Sequence, residues 1–217
     1  MSRIGWVLGA WLLIGAAPLA WAEDILQVLE RSHTQRLAQL DDPGRGTPAP
    51  DAVRRIELSY ARLTARHGPR PAPALKVVRG EALAETLGGR VIVVDESLAG
   101  FTEGQRMFVL AHELGHVALG HWAALGRLYQ RHIPGEVVKS QTDAVAGVLG
   151  RDASALAHEH EYAADAWGLA ALRALGHGPE DVESLFARFG PSRDTPTHPG
   201  TRRRLAQLHA RELQARD

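Results

Sequence analysis

The stretch that most constrains this chain is residues 104 to 121, GQRMFVLAHELGHVALGH. Met107, Phe108, Val109, Leu110, Ala111, Leu114, Val117, Ala118 and Leu119 leave no face of the helix polar. A helix that is apolar all round is a buried helix. Two histidines and a glutamate inside it are costly unless each finds a partner. A metal ion would satisfy them. Backbone carbonyls around a buried histidine pair are the structural alternative.

The spacing favours the metal. His112 and His116 are one turn apart, so both rings project from one face. Two imidazoles so placed can bind one zinc ion at about 2.0–2.1 Å. Glu113 follows the first histidine, the HExxH order in which the glutamate reaches the water at the metal and not the metal itself. Gly115 permits a neighbouring element to approach closely.

Catalytic zinc has three protein ligands and an open position, so a third ligand must lie elsewhere. A histidine six residues beyond His116 would complete one known arrangement, but that position is Trp122. His121 sits past a glycine at the helix end and reads as a surface residue or as a support to a ligand. The stronger candidate is in HEHEYAADAWGLAAL, residues 158 to 172. Glu161 can ligate, and Asp165, one turn on, can accept a hydrogen bond from a ligand histidine and fix its tautomer. Ala163, Ala164, Ala166 and Gly168 form a small-residue face that suits packing against the HExxH helix. A solvated acidic face, with His158, Glu159 and His160 beside it, is the alternative for Glu161.

Composition narrows the rest. The 25 basic and 25 acidic residues balance, which gives no electrostatic case for nucleic acid or an acidic membrane surface. The absence of cysteine excludes disulfides, cysteine zinc sites and a cysteine nucleophile. Eleven histidines raise the prospect of metal ligation. Residues 1 to 22 have a short positive start, an apolar run from Gly5 to Leu19 and the ending Ala20-Trp21-Ala22. This is the pattern of a secretory signal cleaved after Ala22. The run is about 15 residues where a spanning helix needs roughly 20, so an uncleaved anchor is the lesser expectation. The mature chain, 23 to 217, is expected to be a single exported, periplasmic domain with no membrane span.

Hydrophobic spacing predicts helices over 24–40 and over 51–66, the latter capped by Asp51. Strands are predicted at 75–78 and 90–94, the second bounded by Gly88-Gly89. Further helices are expected at about 103–120, 122–131, 137–149, 152–175, 179–188 and 199–215. The predicted class is mainly α (α+β), with a small sheet.

The pairing of AHELGH, 111 to 116, with EYAADAWG, 161 to 168, resembles metallopeptidase family 48, the group of HtpX-type and CAAX prenyl proteases. THPGTRRRL, 197 to 205, adds the His-Pro and following arginine seen near the family's C-terminal end, here His198, Pro199 and Arg204. The resemblance spans about residues 75 to 210. It implies a zincin-like helical domain of the gluzincin type, one zinc ion on His112, His116 and Glu161, and Asp165 supporting a ligand. It also implies His198 near the metal, acting in regulation or on the transition state. The membrane helices and helical repeats of larger members have no counterpart in this sequence.

The implied activity is peptide-bond hydrolysis with Glu113 as general base, acting on polypeptides of the cell envelope in quality control, where misfolded proteins are the natural substrates. The strand at 90–95 is expected to offer an open edge to substrate, and the segment from His132 to Arg151 to cover the site. A zinc-stabilised binding module or chaperone is the alternative, against which an intact Glu113 argues. A gluzincin of the toxin or phage-regulator type fits poorly with residues 1–22 and Asp165. Roles for His121, His158, His160 and Arg204 do not follow from the sequence.

Overall fold

In a computed structural model, residues 23–80 and 82–214 are described. The signal-peptide pattern, at 1–22, lies outside them.

The first helix, α1 (Ile25–Leu40), starts at a reciprocal cap. The Asp24 side chain accepts from the Gln27 amide, and the Asp24 amide donates to the Gln27 side chain, each at 2.9 Å. Helix α2 (Pro50–His67) follows a short turn. Asp51 is not its cap. Pro50 takes the first helical position, where its missing N–H costs nothing, and Asp51 sits in the first turn.

Three short strands come next: β1 (Ala74–Val78), β2 (Ala84–Leu87) and β3 (Val91–Asp95). The order is β1-β3-β2, with β1 parallel and β2 antiparallel to β3. The expected strands are β1 and β3; β2 was not foreseen. Gly88 and Gly89 connect β2 to β3 with φ of 59° and 65°. Two successive positive φ values make the tight hairpin turn whose twist suits the strands. Because β3 is central, both its edges are paired, and the expected open edge at 90–95 does not exist. The outer edges belong to β1 and β2.

Helix α3 (Glu103–Ala118) begins with Thr102 and Gln105 in a second reciprocal cap. It is buried over nearly its whole length, as its sequence requires. Gly120, at φ 67°, turns the chain into α4 (His121–His132). Then α5 runs unbroken from Lys139 to Arg173, where two helices were expected. Gly147 and Gly150 lower helix propensity by only about 1 kcal/mol each and keep their backbone N–H donors, so the helix continues through them. Helices α6 (Pro179–Phe189) and α7 (Thr201–Gln214) close the fold.

The main core joins α2, the sheet, α3, α5 and α6 through Ile56, Leu63, Ile92, Phe108, Leu114, Leu172 and Leu185. Two glycines set how closely α3 and α5 approach. A Cβ on Gly115 would lie 3.2 Å from the Ala164 Cα, and one on Gly168 would lie 3.3 Å from the His112 amide nitrogen. The helices therefore touch backbone to backbone at the level of the HExxH motif. A smaller cluster of Ile25, Leu128, Ile133 and Leu149 attaches the first half of α5 to α1 and α4. Among the described residues, no helix is long and apolar enough to cross a membrane.

Candidate metal centre

Helix α3 carries His112, Glu113 and His116 toward a crevice, and α5 brings Glu161 and Asp165 to meet them. His112 Nε2 and His116 Nε2 face each other at 3.1 Å. Glu161 places Oε2 3.5 Å from His112 Nε2 and Oε1 3.3 Å from His116 Nε2. His112, His116 and Glu161 are thus the three-residue group able to hold a metal ion. Glu113, on the same turn, is not part of it.

Behind His112, Nδ1 lies 2.9 Å from Asp165 Oδ1. Asp165 is ionised and acceptor-only, so the ring proton is on Nδ1. His112 Nε2 then presents a lone pair to the lone pairs of His116 and Glu161. Glu161 Oε2 is buried and has no hydrogen bond. Such a gathering of acceptors repels itself unless a positive charge sits among them. Ligand atoms about 3.3 Å apart are what a tetrahedral ion with 2.0–2.1 Å bonds spans, so the residues fit zinc.

The model of peptidase family M48 matches residues 76–212, well over half of the chain. The chain belongs to peptidase family M48. No curated protein and no solved structure matches it. M48 enzymes are zinc-dependent metallopeptidases, and the donor set above is one such an enzyme can use.

In this M48 chain, Arg204 of α7 completes the support of His112. Its Nε donates to Asp165 Oδ2 at 2.8 Å, and its Nη2 donates to Asp165 Oδ1. Nη1 lies 3.3 Å from Glu161 Oε2. Nη2 and His112 Nδ1 are 3.3 Å apart because both donate to the same carboxylate oxygen. Burial alone would raise both carboxylates, but His112 and Arg204 hold Glu161 and Asp165 well below the usual carboxylate range. Burial likewise works against a charge on His112, yet Glu161 and Asp165 push it up to about 10 without a metal. The site demands a cation, and a proton serves when no metal does.

His116 is supported differently. Its Nδ1 lies 2.9 Å from His121 Nδ1, and His121 stacks on His160 with centroids 3.8 Å apart and planes 5° apart. His121 is buried, so it supports a ligand and is not a surface residue. Burial first, then the neighbouring His160 and His116, push His121 down to about 3.

Glu113 is buried, and Thr86 of β2 donates its hydroxyl to Glu113 Oε2 at 2.6 Å. Nothing in the residue pattern singled out Thr86, although the Gly88-Gly89 turn implies a strand before it. His198 stands in the segment before α7, with Nδ1 2.9 Å from Thr197 Oγ1 and Nε2 3.7 Å from Glu161 Oε1. His158 donates from Nε2 to the Thr195 carbonyl at 2.8 Å and ties that segment to α5.

Two cavities meet at the cluster and share Ala84, Glu113, Glu161 and His198. The larger, about 510 Å³, is bordered by His116, His121, His160, Trp122 and Glu85. The smaller, about 170 Å³, is bordered by Phe108, Val109, Leu185 and Phe186 on one side and by His112 and Arg204 on the other. No residue of the 132–151 segment borders either cavity. That segment is instead fastened to the chain start, by the Val137 amide on the Glu23 carbonyl at 2.9 Å. It does not cover the site.

Proposed function

We propose that this chain is an exported zinc endopeptidase that cleaves polypeptides of the cell envelope, misfolded ones foremost. The observation that carries the peptidase reading is a buried Glu113 carboxylate, held by Thr86, beside the convergent donors of His112, His116 and Glu161. Export rests on the sequence pattern of residues 1–22, and the choice of envelope substrates on the resemblance alone.

The free edge of β2 supports action on the interior of a chain. Leu83 and Ala84 border the small cavity, while Ala84, Glu85 and Thr86 border the large one. An extended substrate pairing with β2 would run past the cluster with a cavity on either side, main chain held by hydrogen bonds and side chains by the cavities.

His112, His116 and Glu161 would hold the metal. Zinc, when bound, supplies a Lewis acid that polarises the scissile carbonyl and makes water acidic near neutral pH. Glu113 accepts the proton of the attacking water and delivers it to the leaving nitrogen. The Thr86 hydroxyl fixes the carboxylate rotamer for that transfer. His198, with Nδ1 engaged by Thr197, turns Nε2 toward the cleft, where it can donate to the oxygen that gains negative charge.

The test is zinc content and cleavage of unfolded casein by the native chain and by Glu113→Gln. Zinc in both and cleavage by the native form alone is the expected result. Zinc in both with no cleavage by either would turn the reading toward a zinc-stabilised binding module. Absence of zinc from both would remove the assigned centre. In the same assay His198→Ala should keep zinc and lower kcat about 10–100-fold.

A further inference from the structure

We propose that the groove between α1 and α4 is an exosite for the polypeptide substrate, taking an extended stretch about four to six residues from the scissile bond and favouring an acidic side chain within it. The inference rests on the peptidase reading and adds a binding surface outside the metal centre. Helix α1 precedes the matched residues 76–212, so its part in binding lies outside what the family implies.

Trp122 joins the groove to the cleft, because it borders both the larger cavity and the groove. The β2–β3 turn leads to the same place. Thr86 and Gly89 border the larger cavity, and Arg90, the next residue, borders the groove. A substrate strand laid along β2 and kept straight past the turn meets Trp122 after about three residues. The junction is firmly built. Trp122 stacks on His33 of α1, with centroids 4.1 Å apart and planes tilted by 35°. A Cβ on Gly89 would lie 3.3 Å from the Trp122 Cβ, so the turn closes directly against it. Arg36 of α1 donates from Nη2 to Glu85 Oε1 at 2.7 Å, which holds α1 to the strand that would carry the substrate.

Past Trp122 the two helices run antiparallel, since His33 meets Trp122 and Leu26 meets Gly126. A Cβ on Gly126 would lie 2.9 Å from Leu26 Cδ2, so the glycine lets α1 settle onto α4. The groove they leave measures about 930 Å³. From Gln27 to Thr34 its α1 wall is about 10 Å long, the span of about three extended residues. Charge selects the occupant. Glu30 is paired with Arg90, and Glu23 with Arg31. Arg127, beside Gly126, is exposed and has no ion pair among the described residues. Asp24, the remaining anion of the groove, lies at its far end and accepts from the Gln27 amide. A carboxylate entering past Trp122 meets Arg127 first, whereas a basic side chain finds Glu30 already taken.

The experiment has two arms. Casein-derived peptides of about six and about twelve residues are titrated onto zinc-loaded Glu113→Gln, which reads binding without turnover. The longer peptides should bind about tenfold tighter, since a second contact linked to one already held adds affinity without a new encounter. Among them, Glu should be preferred to Lys at one fixed position by about two- to fivefold, the range of an exposed ion pair. Added salt should erase that difference. Arg127→Glu, a change at an exposed position, should reverse the order to Lys over Glu. In the second arm, extending a peptide on one side of its mapped cut should lower KM for the native chain by about tenfold and leave kcat as it was. Length-independent binding, or a charge preference that Arg127→Glu leaves as it was, would overturn the exosite, and casein cleavage would still uphold the peptidase. A dimer in sedimentation that Arg127→Glu dissociates would assign the groove to a second copy of the chain and overturn the exosite too. Length-dependent, charge-selective binding without cleavage by the native chain would support the groove as a polypeptide site while the peptidase reading failed.

Discussion

His112 and His116 face each other across 3.1 Å, yet opposite chemistry supports them from behind. His112 leans on charge. Asp165 accepts its proton, Arg204 grips Asp165, and Arg204 reaches on to Glu161, closing a buried loop of ions. His116 leans on neutral rings, His121 and then His160, along the wall of the larger cavity. To ligate through Nε2, His116 must be neutral with its proton on Nδ1, and His121 must accept that proton's hydrogen bond. Burial and the neighbouring imidazoles push His121 down to about 3, which keeps it able to accept. The contrast teaches which half of the site bears stability. An ion in the His112 loop cannot lose its partner without leaving a buried charge, whereas a neutral ring can be removed at modest cost.

The comparison breaks most decisively at Asp165→Ala. The variant frees the His112 tautomer and strands Arg204 with Glu161 alone. Zinc affinity should fall about 10–100-fold. Stability should fall by about 3 kcal/mol, since one member of a buried ion network is lost. Competition with a chelator and a thermal melt measure the two effects. A loss no greater than that of His121→Ala would deny the contrast.

The metal-free protein sharpens the same point through pH. His112 is raised from 6.5 to about 10 in the folded chain. A group raised on folding contributes stability that is fully present below pH 6.5 and lost as pH rises through about 10. Chelator-treated protein should therefore lose melting temperature between pH 6.5 and 10, by an amount worth roughly a few kcal/mol. Zinc-loaded protein, in which the metal takes the place of the proton on His112 Nε2, should show little of this slope. A flat profile in the metal-free chain would mean that the loop of ions does not hold a proton on His112.

Much of the His112 half could be read from sequence, because its order is local. Spacings of four within α3 and within α5 translate directly into shared helix faces, and Gly115 and Gly168 bring those faces together. The family match agrees with the kinship that those motifs suggested. Arg204 is different: it meets Asp165 from another helix, a long-range pairing that no local period encodes. Strand β2 escaped because AETL lacks the β-branched run that marked β3. With β2 went Thr86 and the sheet edge beside Glu113. At α5 two helices, 137–149 and 152–175, were expected where one continuous helix runs from Lys139 to Arg173. His121 looked terminal because it follows Gly120, yet that glycine's left-handed turn is what swings it back onto His116.

The neutral half predicts smaller effects. His121→Ala removes the acceptor behind His116 and should weaken zinc binding by about tenfold, the lower end for a supporting partner. Melting temperature should barely change, because no ion is stranded. His121→Asn, able to accept a hydrogen bond at the same distance, should recover part of the affinity.

The smallest effect belongs to His160. Its side chain meets the neutral arm by stacking on His121 at 3.8 Å. Burial and the nearby His116 push it below its ordinary value, so near neutral pH it too is an uncharged ring. His160→Phe keeps an aromatic plane against His121 and should leave zinc affinity within about twofold, since stacked pairs contribute roughly 0.5–1.5 kcal/mol beyond burial. His160→Ala loses the plane and should weaken affinity by a few fold at most. If both variants instead fell as far as His121→Ala, His160 would be fixing the His121 tautomer and not only its position. The neutral arm would then be a two-residue relay, matched in length to the ionic one.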